Sequence, residues 1–139
     1  MTNIYYQEAQ DIKRKIELII KVLELKHINP ARVYCIRSYG SSSRGIIARC
    51  HSLPKIMQQV LAIEPAYIIE VISESFDKQK EEEQIKTLIH ELLHIPKTFG
   101  GGFLHHNVVT RAKIDKLYNK FSKFQKSSLP SKNIVEQNI

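Results

Sequence analysis

The stretch Leu88–Ile95 carries two histidines and a glutamate within an otherwise apolar run, LIHELLHI. His90 and His94 are four residues apart, so on a helix their side chains lie one above the other and both imidazoles can reach one metal ion. Glu91 stands one position further round the helix, where its carboxylate can take a proton from a water molecule beside that ion. This H-E-x-x-H arrangement therefore predicts a helix that carries part of a zinc site.

The residues around the motif predict a helix over about 78–95. Asp77 is a candidate N-cap, three consecutive glutamates follow in the first turn, and Pro96 disfavours helix at the residue before it. Apolar residues at helical spacing form the side that faces the core: Ile85, Leu88, Ile89 and Leu92. Because His90 and His94 flank this apolar side, two purely structural histidines are the alternative interpretation.

A third ligand is expected outside this helix, since catalytic zinc sites generally use three protein ligands and one water. His105 and His106 follow a run of three glycines, residues 100–102, where the chain can turn back toward the helix. The spacing excludes the short pattern in which a third histidine would stand at position 100. Either His105 or His106 could therefore complete the site.

The remaining metal-capable side chains fit the site less well. Asp115 would have to turn inward from the last predicted helix, and Glu136 lies in the terminal segment. His27 and His51 end a predicted helix and a predicted strand, so each is interpreted as a surface or capping residue.

The first half of the chain predicts an N-terminal helix over about 5–26 and then a hairpin. The hairpin consists of strands at 32–38 and 44–51, joined by a glycine- and serine-rich turn. A short helix over 54–62 and a central strand over 66–73 follow, the latter because its apolar run is nearly continuous.

The fold class predicted from this order is a small α+β domain. Its mainly antiparallel sheet packs on the N-terminal helix and on the motif helix, and a last helix over about 107–126 completes it. Residues 1–126 are expected to form one domain, and residues 127–139 a flexible tail.

The net charge of +7 is concentrated at the C-terminal end, because residues 107–139 carry +5 of it. Four lysines follow helical spacing in the last predicted helix: Lys113, Lys116, Lys120 and Lys123. A solvated face on a docked helix is the plain interpretation, and a surface for nucleic acid or another polyanion is the alternative.

The chain lacks an apolar stretch of the 18 or so residues that a membrane span needs, and its N-terminus lacks the pattern of a signal peptide. A soluble cytoplasmic protein without a membrane partner is therefore expected. Cys35 and Cys50 lie in the two hairpin strands, where they could approach each other, but free buried thiols are the expected state.

Four segments of the chain resemble small metallopeptidases of archaea and phages. They are Arg37–Ser41, Ala48–Pro54, Tyr67–Glu74 and Leu88–Lys97, and the resemblance continues through the glycines to His105 and His106. It implies a minimal zincin with peptidase activity on a peptide or protein substrate and one zinc ion per chain. In that alignment His106 takes the place of the third ligand. This sequence departs from the pattern by the extra His105 and by Asn107.

Two hypotheses follow from these observations. In the first, His90, His94 and His106 (or His105) hold zinc, and Glu91 is the general base of a peptidase whose substrate pairs with the edge strand at 44–50. In the second, the lysine face binds nucleic acid, either in a non-catalytic module or in a protease recruited to DNA, as in the SprT-like proteases that the layout resembles. Structural zinc sites favour four protein ligands rich in cysteine, and the chain has no C-x-x-C pair, which argues against a structural zinc site in such a module.

Overall fold

The computed structural model describes residues 3–41 and 45–128, which form a four-stranded sheet and five α-helices. The strands are β1 (Tyr5–Glu8), β2 (Val33–Tyr39), β3 (Ala48–Ser52) and β4 (Tyr67–Ile72). The helices are α1 (Gln10–Val22), α2 (Lys55–Leu61), α3 (Ser73–Phe76), α4 (Glu81–Leu93) and α5 (Arg111–Ser128). The α+β class is therefore confirmed.

The sheet is mixed, with strand order β1-β2-β4-β3. β2 runs parallel to β4, whereas β1 pairs with β2 and β3 pairs with β4 in antiparallel fashion. β4 takes an inner position because five of its six residues are buried, and β3 suits an edge because none of its residues is.

The core lies between one face of the sheet and the helices α1, α4 and α5. α1 buries the isoleucines at 12, 16, 19 and 20, and α4 buries Ile85, Leu88, Ile89 and Leu92. α5 adds Ile114 and Phe121. Helix α4 is thus fixed along its apolar side, and its histidines lie at the border of the core.

The predicted hairpin of residues 32–38 and 44–51 is wrong. β2 and β3 are not neighbours, because the more apolar β4 lies between them. The chain crosses from β2 through β3 and α2 before it returns as β4, since a parallel pair needs such a crossover. Cys35 and Cys50 consequently lie on opposite sides of Ile69, and both thiols are free.

The N-terminal prediction is also corrected. Residues 5–8 form an edge strand instead of the first turn of a helix, and the rings of Tyr5 and Tyr39 stack across the β1–β2 ladder with centroids 4.8 Å apart. Tyrosine favours a pleated, half-exposed surface of this kind. The apolar periodicity of the helix begins only at Ile12.

Two helix ends differ from the sequence-based expectation. Asp77 does not cap α4, whose N-cap is Lys80; Asp77 follows α3, where its carboxylate accepts a hydrogen bond from Ser73 Oγ and pairs with Arg37. Ser127 and Ser128 still belong to α5, and the rest of the predicted tail, 129–139, lies outside the described residues. The single domain over 1–126 stays a prediction.

Candidate metal centre

Three histidines approach one another at the C-terminal part of α4. The ligand-capable atoms of His90, His94 and His106 all lie within 4.8 Å of one another. The ring centroids are 5.0 Å apart for His90 and His94, 5.2 Å for His90 and His106, and 4.9 Å for His94 and His106. Helical spacing gives the first pair, and the loop after α4 brings the third ring to them.

The loop between α4 and α5 is held in place by contacts that its glycine run makes with neighbouring residues. The hydroxyl of Tyr67 donates to the carbonyl of Gly102 and accepts from the N–H of Gly101, at 2.9 and 3.0 Å. Gly101 has a φ of +103°, and a Cβ there would collide with the side chain of Gln58 and the backbone of Leu53. Glycine is required at this position for the loop to turn back toward α4.

His94 is held in one orientation by this returning loop. Its Nδ1 hydrogen-bonds to the carbonyl of Leu104, the N–H of Leu104 donates to the carbonyl of His94 at 2.8 Å, and the ring of Phe103 stacks on the imidazole at 4.4 Å between centroids. Because Nδ1 must donate to a carbonyl, Nε2 carries the lone pair. A backbone partner of this kind orients the histidines that bind metals in proteins.

His90 offers a direct test of whether the site fits a metal ion. Its Nε2 is buried and has no hydrogen-bond partner among the described residues. A buried polar atom without a partner is costly, and coordination of a metal would satisfy it. Burial and the neighbouring imidazoles of His94 and His106 lower the pKa of His90 to about 4, so its ring is neutral, as a ligand must be.

Glu91 lies beside this cluster and is almost completely buried, at 7% exposure. Burial raises the pKa of its carboxyl to about 7, and the backbone N–H of Cys50, which acts as a hydrogen-bond donor to it, works in the opposite direction. A carboxylate with a pKa near neutrality is suited to accept and return a proton.

The histidine cluster and Glu91 open onto a cleft of about 570 Å³. One wall is the segment from Gly45 to His51, which includes most of β3, and the opposite wall comes from α4, Phe103 and His106. Within the described residues β3 is an edge strand, with β4 on one side only.

The register of β3 determines which backbone groups face this cleft. The N–H of Ile72 on β4 donates to the carbonyl of Ile47 at 2.8 Å, so the alternating positions 49 and 51 also turn their backbone groups toward β4. The backbone groups of Ala48 and Cys50 therefore point toward the open edge, in agreement with the contact between the Cys50 N–H and Glu91.

His51 and Glu70 form a polar pair that borders the same cleft on the other face of the sheet. Nε2 of His51 lies 2.7 Å from Oε1 of Glu70, and a guanidinium nitrogen of Arg49 lies 3.6 Å from Oε2. From the sequence His51 is interpreted as a surface or capping residue, and Glu70 has no predicted role. Their pairing depends on β3 lying next to β4, which the expected hairpin obscured.

The other candidates lie outside the histidine cluster. His105 is exposed and contacts Phe103, Asp115 pairs with Lys86 at 3.3 Å, and Nε2 of His27 lies 3.2 Å from the carbonyl of Ile95. In α5, Lys113 reaches the carbonyl of Val108. Lys116, Lys120 and Lys123 are exposed as the solvated face requires, and a nucleic-acid partner stays a prediction.

The fold and the site together define a small α+β protein with a three-histidine group on and after a helix. A family described as "Putative phage metallopeptidase" matches residues 4–127, and the chain belongs to that family. The resemblance to metallopeptidases of phages is thereby confirmed, and the family implies a metal ion and a protein substrate. No curated protein and no solved structure matches the chain.

None of the helices among the described residues is long and apolar enough to cross a membrane.

Proposed function

We propose that this protein is a zinc-dependent peptidase in which His90, His94 and His106 hold one zinc ion and Glu91 is the general base. The observation that carries the proposal is the convergence of three ring nitrogens within 4.8 Å beside a buried carboxylate, in a cleft that is open to a substrate. His105 is not assigned a role as ligand, because it lies outside the cluster. Imidazole ligands suit zinc, and they also accept other divalent ions of its kind.

Bound zinc would act as a Lewis acid that polarises the scissile carbonyl and lowers the pKa of water at the site. Glu91 takes the proton from the attacking water and later gives it to the amine that leaves. The Cys50 N–H, which faces the carboxylate from β3, favours its ionised form. Hydrolysis then needs no covalent intermediate between enzyme and substrate.

The substrate would bind as an additional strand along β3. Ala48 presents its N–H and carbonyl to the open edge, and Cys50 presents its carbonyl, while the Cys50 N–H is engaged with Glu91. An extended chain that pairs with these groups passes directly beside the carboxylate and the histidine cluster. Strand addition of this kind supplies affinity through backbone hydrogen bonds whatever the sequence of the substrate.

Cleavage of a peptide mixture by the zinc-loaded protein tests this proposal. A digest of unrelated proteins is incubated with native protein and with the Glu91→Gln variant, and new termini are detected by mass spectrometry. We expect cleavage by the native protein and almost none by the variant, with equal zinc content in both. Equal cleavage by both would show that the activity belongs to a contaminant and would contradict the proposal.

A further inference from the structure

Glu70 is the single charged residue of β4, and its side chain is 6% exposed. Removing a carboxylate from water costs several kcal/mol, and buried ion pairs are weak evidence of a gain in stability. Apolar residues occupy the rest of this inner strand apart from the tyrosine at its start. A purely structural role for Glu70 is therefore unfavourable, and its side-chain contact with His51, at 2.7 Å, leads to the cleft.

The contact between Glu70 and His51 fixes the orientation of the imidazole. Burial alone would raise the pKa of Glu70, but the hydrogen bonds with His51 and Ser38 and the charges of His51 and Arg49 outweigh it, so the pKa lies below its usual value. An ionised carboxylate is only an acceptor, so Nε2 of His51 donates. The other ring nitrogen, Nδ1, has no hydrogen-bond partner in the part of the chain that the structure describes.

The position of His51 on β3 places its side chain next to a bound substrate strand. The backbone groups of His51 turn toward β4. A substrate residue opposite His51 at the open edge would therefore form a non-hydrogen-bonded pair with it. In antiparallel pairing such pairs have the closest side chains, with Cβ atoms about 4.5–5.5 Å apart. The side chain of His51 is 47% exposed and lines the cleft, so this approach is open.

We propose that His51 is a specificity-determining residue that hydrogen-bonds a polar substrate side chain next to the scissile bond, and that Glu70 is the positioning residue that orients its ring. The substrate class is a peptide with an amide or hydroxyl side chain at the residue opposite His51. This inference rests on the proposed zinc site and on substrate pairing along β3.

Peptidyl hydroxamates test the inference without any need for turnover, because the hydroxamate binds the metal and the peptide occupies the cleft. Two series of short N-acyl peptide hydroxamates carry Asn or Leu, side chains of similar size, at one position at a time. Binding to zinc-loaded protein is measured by calorimetry, with acetohydroxamate as the probe for the metal alone. The proteins are native protein, His51→Ala, Glu70→Gln and the control His27→Ala, which removes a histidine bonded to Ile95 outside the cleft.

We expect native protein and His27→Ala to prefer Asn to Leu at one position by about three- to tenfold, the effect of one hydrogen bond. His51→Ala should lose this preference, and Glu70→Gln should keep only part of it. Acetohydroxamate should bind all four proteins equally.

Two results would overturn the inference. Equal preferences in native protein and His51→Ala, with acetohydroxamate bound, would remove His51 from the substrate site while leaving the metal site intact. Failure of acetohydroxamate to bind zinc-loaded native protein would remove the proposed function and this inference together. Because Glu70→Gln changes a buried group, thermal unfolding is recorded in parallel, and His51→Ala decides the outcome if Glu70→Gln does not fold.

Discussion

The backbone N–H of Cys50 on β3 faces the carboxylate of Glu91 on α4, so β3 and α4 meet at the proposed general base. The same strand presents Ala48 to the open edge two residues earlier. In the proposed mechanism, substrate pairing and proton transfer would therefore depend on the same short segment of backbone. A shift of β3 along β4 would separate the two.

Replacement of Glu91 by glutamine should abolish peptide hydrolysis while leaving the metal bound. The amide has a similar shape but cannot take a proton from water, and loss of general base catalysis costs about a hundred- to ten-thousand-fold in rate. Cleavage rate and zinc content are measured together. Glu82→Gln is the matched control, because Glu82 is exposed on the same helix and pairs only with Lys86 in the described contacts. Loss of zinc in Glu91→Gln would instead make Glu91 a ligand.

The stability of the metal-free protein should depend on pH through Glu91. Its pKa is raised from 4.5 to about 7 in the folded protein, so the stability it contributes is complete below pH 4.5 and is lost as the pH rises through 7. Glutamine has no charge to bury. Metal-free Glu91→Gln should therefore match the native protein near pH 4.5 and exceed it by on the order of 2–3 kcal/mol at pH 8.

Urea unfolding in the presence of a chelator measures this difference at both pH values. Burial also lowers the pKa of His90, which removes stability as the pH falls below 6.5, but this affects both proteins equally. Equal stability of the two proteins at pH 8 would contradict the assignment of a buried carboxylate with a raised pKa.

Much of the histidine cluster could be predicted from sequence because it is local. The approach of His90 to His94 depends only on helical spacing, and the glycine run at 100–102 allows the chain to return with His105 and His106. The choice between His105 and His106 needed the structure, because adjacent residues in a loop point in directions that spacing does not determine. Phe103 and Leu104 fix that direction by packing on His94.

The sheet was harder to predict because strand order depends on long-range pairing. Residues 32–38 and 44–51 are close in sequence and have turn residues between them, so local rules favour a hairpin. The more apolar strand, Tyr67–Ile72, takes the inner position because more of its surface is buried there. The contact between His51 and Glu70 and the access of Cys50 to Glu91 both follow from the position of this strand between β2 and β3.

Cys35 and Cys50 should remain reduced under oxidising conditions. Both pair with Ile69 from opposite sides, so an intervening strand separates them by about 9–10 Å. A disulfide requires Cα atoms within about 7 Å. Burial also raises the pKa of each thiol to about 12. Thiol counting in denaturant after air oxidation should give two per chain, and a mass lower by two hydrogens would contradict the strand order.

The lysine face of α5 should be separable from the metal site. Lys116, Lys120 and Lys123 are exposed, so replacement of all three by alanine should leave zinc content and peptide cleavage unchanged. DNA binding at low and moderate salt is measured for both proteins. Affinity that falls in the triple variant would support recruitment to nucleic acid, and equal affinity would identify the face as solvated surface.

Metal content tests the central claim most directly, because it requires no knowledge of the substrate. Native protein, Glu91→Gln, His105→Ala and His106→Ala are supplied with zinc, dialysed and subjected to elemental analysis. We expect about one zinc per chain in the first three proteins and a large loss in His106→Ala, with all four folded. Full zinc content in His106→Ala, or no zinc in folded native protein, would contradict the proposed metal site.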